Sequence, residues 1–201
     1  MLIGLLCCLG LLLWWAPGEA TLGGVVKLVY LHGALVRTAV LLLICSLPLN
    51  LAAVVTTRAL WARWGRATTW TAIGAWLTHT LVSMVTTYAA WGVFVAWFEP
   101  RTRFTFGLAA VALFIALVAH LLRDARFAAG AFLVLALLVV AMMPRLGLVQ
   151  HPLDPIGASS SAGIRVAYAG ILAVSALIAG VLTLWLEHRL AYGSEAKGCT
   201  G

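Results

Sequence analysis

The sequence predicts an all-α fold: a polytopic transmembrane bundle of about six helices, with no soluble domain. Of its 201 residues, 64% are hydrophobic and only 9% are charged, whereas an average soluble domain carries roughly 25% charged residues. Several apolar runs also reach the length of about 20 residues that a helix needs to cross the hydrocarbon core of a bilayer. A soluble fold of this length could not bury so much apolar surface, so lipid is the expected solvent.

Six apolar segments are predicted to cross the membrane as one domain, joined by short loops. Their ranges are 2–16, 29–57, 69–90, 104–122, 127–143 and 164–186. Small residues follow the first segment as they would follow a secretory signal, but the basic residues that begin such a signal are missing, so we interpret it as a retained helix. Pro48 predicts a kink in the second segment. In the sixth, the small residues Ala169/Ala173 and Ala176/Gly180 recur four apart and predict close helix packing.

The positive charges indicate which side of the membrane each loop occupies. Lys and Arg accumulate on the cytoplasmic side of membrane proteins. The even-numbered loops and the C-terminal tail hold seven of them and the opposite side holds six. This small bias predicts that both termini face the cytoplasm. The net charge of +7 is explained by this topology and by contact with anionic membrane lipid, and no nucleic-acid partner is predicted.

Residues that are unusual in a membrane chain gather on the predicted outer side, in the loops after helices one, three and five. His32 begins the second helix, and His151 lies in the loop after the fifth. The segment after the third helix contains Trp91, Gly92, Trp97, Phe98, Glu99, Pro100 and Arg101. Imidazoles ligate heme iron, aromatic rings can lie against a porphyrin, and an arginine can pair with a propionate. The pattern predicts a heme b site with His32 and His151 as axial iron ligands, and with Trp91, Trp97, Phe98, Glu99 and Arg101 around the porphyrin.

These residues also carry a resemblance to a known family, the heme-handling cytochrome c assembly proteins, and most of all to the six-helix cytochrome c maturation protein C. That family has a segment Trp-Gly-x-Trp-Trp-x-Trp-Asp-x-Arg-Leu-Thr outside the membrane between helices three and four. The corresponding residues here are 91–102, with one residue inserted, with Glu99 where the family has Asp and with other apolar residues in place of its central Trp pair. The family's Tyr-Leu-His at the start of helix two is matched by Tyr30-Leu31-His32, and its second heme histidine by His151.

The resemblance implies a role in handling heme. Such a protein presents oxidised heme at the outer face of a bacterial or archaeal inner membrane. It passes the heme to a periplasmic heme chaperone, and an ABC-type transporter assists the release. The resemblance implies binding and transfer of heme rather than catalysis of bond-making.

Two histidines within the predicted spans leave other functions open. His79 lies near the middle of the third span and His120 near the inner end of the fourth. Ionisable residues at such depths are costly and are functional candidates, so they suit a membrane cytochrome b or a small subunit of a respiratory complex. Their different depths argue against one heme bridging both, and the simpler explanation of each is a neutral histidine hydrogen-bonded between helices. A third alternative is a cofactor-free transporter or structural subunit, in which the polar outer loops only shape a cavity. Trp91 and Trp97 by themselves are also explained as anchors in the membrane interface.

Overall fold

The structure, a computed structural model, describes residues 1–20, 22–143, 156 and 159–198, and for 193–198 only the backbone. Over that part of the chain there are six helices and no strand, which confirms the predicted all-α bundle. The helices are α1 (Leu2–Trp15), α2 (Val26–Thr56), α3 (Ala59–Trp91), α4 (Pro100–Leu122), α5 (Ala125–Met142) and α6 (Ala162–Gly198). Two-residue turns join α2 to α3 and α4 to α5, so each of these pairs forms an antiparallel hairpin.

Four of the helices within the described residues are long and apolar enough to cross a membrane: α2, α4, α5 and the Ala162–Tyr192 part of α6. The first helix is apolar but has only 14 residues, which span about 21 Å at 1.5 Å per residue. The third has 33 residues, more than enough for a crossing, but its composition is more polar. Length and composition together therefore define a membrane protein in which α3 differs from its neighbours.

The polar side of α3 faces the other helices. Its buried residues include four threonines and a histidine: Thr68, Thr69, Thr71, Thr80 and His79. Each of the four hydroxyls donates to the backbone carbonyl four residues earlier, over 2.8–3.0 Å. Threonine can satisfy its own hydroxyl in this way inside a helix. A helix with these side chains can therefore be buried in an apolar bundle without leaving the hydroxyls unsatisfied.

Two helices extend further than the sequence predicted. The third begins at Ala59 rather than at residue 69, and the sixth continues to Gly198 rather than ending at 186. Both extensions carry charged residues, and Arg63 of α3 pairs with Glu187 of α6, with Nε 3.1 Å from Oε1. Hydropathy marks the part of a helix that lies in lipid, and these amphipathic ends lie beyond it.

The helix α2 is central and packs against α1, α3, α5 and α6. One buried cluster lies between α1, α2 and α6, around Tyr30 and Tyr168. The other lies among α2, α3, α4 and α5, around Trp76 and Phe132. The Tyr30 hydroxyl donates to the Pro17 carbonyl over 3.2 Å, which ties the segment after α1 to the start of α2.

The turn between α2 and α3 contains a residue in an unfavourable conformation. Thr57 ends α2 with φ 55° and ψ 13°, a left-handed conformation that costs a residue with a Cβ about 1–2 kcal/mol. Because glycine adopts it freely, Thr57→Gly is expected to raise the free energy of unfolding by about 1 kcal/mol. Unfolding by SDS in mixed micelles, followed by circular dichroism, measures this. Thr56→Gly, inside the right-handed helix, is the control and should lower stability instead; equal losses in both variants would contradict the assignment.

Candidate functional site

His32 of α2 and His79 of α3 lie in contact with each other. Their ring centroids are 4.4 Å apart, with the planes inclined by 38°. Nδ1 of His79 lies 3.2 Å from the His32 carbonyl oxygen. Since a carbonyl can only accept, Nδ1 carries the proton in this hydrogen bond and Nε2 keeps its lone pair. His79 therefore fixes the backbone of α2 at the position of His32.

His79 is itself held by an aromatic cluster at the start of α4. It is 4% exposed, and the Trp76 ring packs edge-on against it at 5.5 Å. Trp76 also packs edge-on against Phe104 at 6.1 Å, and its indole N–H donates to the Thr105 carbonyl over 3.1 Å. The first turns of α4 are thus at the depth of the two histidines.

The contact between His32 and His79 was not predicted from the sequence. Their positions in the chain predicted that His32 lies at the outer interface and His79 near the middle of a span. In an antiparallel hairpin, residues equally far from the turn are level with each other. His32 lies 25 residues before Thr57 and His79 lies 21 residues after Arg58. The short α2–α3 turn was therefore a signal that the two lie within about one helical turn of the same depth.

The other span histidine lies far from this pair. His120 is exposed, near the C-terminal end of α4. It follows Thr105 by 15 residues, which is about 22 Å along a helix. Because Thr105 is at the depth of His79, the two histidines lie at different ends of the bundle and do not share a site.

The aromatic segment, residues 91–98, forms a partly exposed surface between α3 and α4. Trp97 and Phe98 are each 58% exposed. Trp97 leans on Phe106, with ring centroids 5.1 Å apart, and Phe94 stacks on Tyr88 at 4.3 Å with an angle of 9° between the planes. Rings supported on one side and open on the other can receive a flat apolar ligand, and they can equally anchor in the membrane interface.

The charged residues of this region mark the start of α4. Glu99 precedes the helix and is buried, with the Thr102 hydroxyl 3.4 Å from its Oε2. Pro100 occupies the first turn, where its missing N–H costs nothing. Arg101 follows and is half-buried. One short segment of the chain thus carries Trp91, Trp97, Phe98, Glu99 and Arg101. The predicted ligand His151 lies outside the described residues.

Whether His32 and His79 can hold a heme together depends on the distance between their rings and on the space around them. Bonds from imidazole nitrogen to a metal are about 2.0–2.1 Å long, so two imidazoles on opposite sides of one iron have ring centres roughly 6 Å apart. His32 and His79, at 4.4 Å, are too close to bracket an iron. His79 is only 4% exposed and packs against Trp76, so a porphyrin would reach its ring only if the surrounding side chains moved apart. His32 is half-buried, and its imidazole is of the right chemistry to ligate a heme that approaches from outside.

The fold and the long apolar helices define the class of this chain, a polytopic helical membrane protein. No protein-family model and no curated protein matches the chain. Its function must therefore be argued from the arrangement of its own residues.

Proposed function

We propose that this protein binds heme b at its outer face through His32 and hands it on during the assembly of c-type cytochromes. The observation that carries the proposal is the placement of His32. It is half-buried, and its backbone is held by His79. Through Trp76 it is at the depth of the first turns of α4, which follow the half-exposed aromatic segment.

Each predicted site residue has a part in this proposal. Imidazoles ligate heme iron, and His32 and His151 would be the two residues that hold it. Trp91, Trp97 and Phe98 would lie against the porphyrin. Arg101 would pair with a propionate, and Glu99 holds the start of α4 that carries Arg101.

A site of this kind suits transfer more than permanent storage. Trp97 and Phe98 are more than half exposed, so a porphyrin against them keeps one edge open to a second protein. The proposed recipient is a periplasmic heme chaperone, with ABC-type transporter subunits assisting release. In this proposal the chain lies in a bacterial or archaeal inner membrane with both termini in the cytoplasm.

One observation favours a second candidate, a membrane cytochrome b. A histidine that binds a metal through one nitrogen usually donates its other N–H to a carbonyl or carboxylate. His79 makes such a bond to the His32 carbonyl, which leaves Nε2 available as a ligand. The burial of His79, which is 4% exposed, counts against a porphyrin there, so we rank this candidate second.

The test is an absorption spectrum of the detergent-purified protein, oxidised and reduced, after expression in a heme-sufficient host. We expect a bound heme that is lost in His32→Ala and in His151→Ala. His120→Ala, at the other end of α4, is the matched control and should keep the heme. His79→Asn is the decisive variant, because an asparagine amide can still donate to the His32 carbonyl but does not replace an imidazole as an iron ligand.

The outcomes separate the candidates. Retention of heme in His79→Asn together with loss in His32→Ala supports the outer site. Loss in His79→Asn with retention in His32→Ala would assign the heme to the bundle interior and reject our proposal. A preparation that carries no heme and binds none when hemin is added would reject both candidates and leave the cofactor-free transporter or structural subunit.

A further inference from the structure

A half-open cavity lies at the end of the bundle opposite His32. Its volume is about 210 Å³, and it is lined by residues of α2, α3, α5 and α6. Asn50, one of its lining residues, follows His32 by 18 residues on α2, about 27 Å along the helix. This cavity therefore has no part in the proposed heme site. At about 30 Å³ per water, it has room for roughly seven water molecules.

Two arginines of α3 give the cavity a positive charge. The first, Arg63, pairs with Glu187 through Nε, which leaves the terminal nitrogens of its guanidinium for other acceptors. The second, Arg66, is half-buried and has no hydrogen bond or ion pair among the described residues. A partly buried guanidinium is costly unless an anion accompanies it. The walls therefore carry one uncompensated positive charge.

The surroundings of the cavity reinforce this charge. Six arginines lie at this end of the described chain: Arg58, Arg63, Arg66, Arg123, Arg126 and Arg189. The carboxylates there are Asp124 and Glu187, and Glu195 and Lys197 further along α6 cancel each other in charge. Six positive and two negative charges therefore remain, which leave a net charge of +4 at this end. Such a surface attracts anions, and membrane interfaces supply them as lipid headgroups.

The deepest polar group of the cavity is the Asn50 amide, whose orientation is set by its neighbours. Thr69 donates its hydroxyl proton to the Gly65 carbonyl, so its oxygen can only accept from Asn50 Nδ2, 3.1 Å away. Asn50 Oδ1 must then point away from Thr69. This fully buried oxygen faces Gly65 of α3 and has no hydrogen-bond partner in the described structure. A buried acceptor without a donor costs about 1–3 kcal/mol. A ligand with a hydroxyl group would supply the missing donor.

The remaining walls are apolar. Five alanines of α3 and α5 contribute to them, at positions 59, 62, 125, 128 and 129. The other apolar lining residues are Phe132 and Leu190. Free phosphate gains nothing from such walls. The glycerol backbone and the first carbons of an acyl chain do, because they can cover the alanine methyl groups while the phosphate remains at the arginines.

We propose that this cavity is a binding site for an anionic glycerophospholipid whose headgroup carries a hydroxyl, such as phosphatidylglycerol. The phosphodiester lies between Arg66 and the terminal nitrogens of Arg63. The headgroup hydroxyl is directed toward Asn50, with a small rotation of that amide. The proposal is independent of heme, since the two sites lie at opposite ends of the bundle.

Native mass spectrometry of the detergent-purified full chain tests this proposal. The protein is titrated with dioleoyl phosphatidylglycerol and, separately, with dioleoyl phosphatidylcholine, which has the same acyl chains but no net charge. We expect tighter binding of phosphatidylglycerol. Arg66→Gln should weaken it about tenfold, which is the effect of losing one charged hydrogen bond. Arg126→Gln removes the same charge from an exposed position at the same end and should have an effect of less than about threefold.

Two further arms separate the possible sources of the anion. Ala129→Met fills the cavity without changing its charge and should also weaken phosphatidylglycerol binding. Millimolar inorganic phosphate should not displace the lipid. Equal losses in Arg66→Gln and Arg126→Gln would show that only the general surface charge matters, and would overturn the proposal. Displacement by inorganic phosphate, or full binding in Ala129→Met, would overturn it as well.

Discussion

Replacing Trp76 by alanine is expected to lower the free energy of unfolding by about 3 kcal/mol, the lower end of the range for Trp→Ala in protein cores. The indole ring is 3% exposed and lies between His79 and Phe104. Its N–H also donates to the Thr105 carbonyl, which links α3 to α4. The lower end of the range applies because lipid also solvates apolar side chains in the unfolded chain. The stability lost in Trp76→Ala therefore comes mainly from packing contacts and from this hydrogen bond.

The control for this variant is Trp70→Ala in the same helix. Trp70 is 37% exposed, so its removal opens no cavity and should cost less than about 1 kcal/mol. Unfolding by SDS in mixed micelles, followed by circular dichroism, compares the two variants. Similar losses in both would mean that Trp76 is not a packing centre, and would remove the link that places α4 at the depth of the histidines.

Alanine in place of Gly65 is the second substitution with a large expected effect, a destabilisation of about 2 kcal/mol. A Cβ at this position would lie 2.5 Å from Asn50 Oδ1, 3.1 Å from Asn50 Cγ and 3.3 Å from the Asn50 backbone nitrogen. A rotation of the amide could relieve the first of these contacts. The contact with the backbone nitrogen is relieved only if α2 and α3 move apart.

A second glycine of α3 provides the control for Gly65→Ala. A Cβ added at Gly74 would meet nothing within 4 Å, and alanine is the better helix former by about 1 kcal/mol. Gly74→Ala should therefore be neutral or stabilising in the same SDS titration. If Gly65→Ala behaved as Gly74→Ala does, the close approach of α2 and α3 at Asn50 would be wrong.

The sequence predicted a helix well where the apolar segment and the helix have nearly the same bounds. The ends of α2, α4 and α5 lie within four residues of the predicted ranges. The start of α3 was missed because Arg63 and Arg66 suggested a loop, although the ion pair with Glu187 stabilises them on a helix. A pairing that spans more than a hundred residues of sequence cannot be seen in a local pattern of hydrophobicity.

The sequence predicted that His32 and the segment 91–101 share one end of the bundle, and a heme site there stays a prediction. It did not predict which of these side chains would be in contact with another helix. Hydropathy gives the depth of a residue but not the direction in which its side chain points around the helix axis. The contact between His32 and His79 depends on that rotation, and it became visible only when α2 and α3 were packed together.

The threonines of α3 have a consequence for how the chain enters the membrane during its synthesis. This helix is less apolar than the four long helices around it, so its transfer into lipid alone would be less favourable than theirs. Its buried polar residues, among them His79, face neighbouring helices, and α3 follows α2 through a turn of only two residues. Insertion of α2 and α3 together as a preformed hairpin would shield those groups from lipid tails at every stage. The translocation machinery would then handle this pair as one unit rather than as two successive helices.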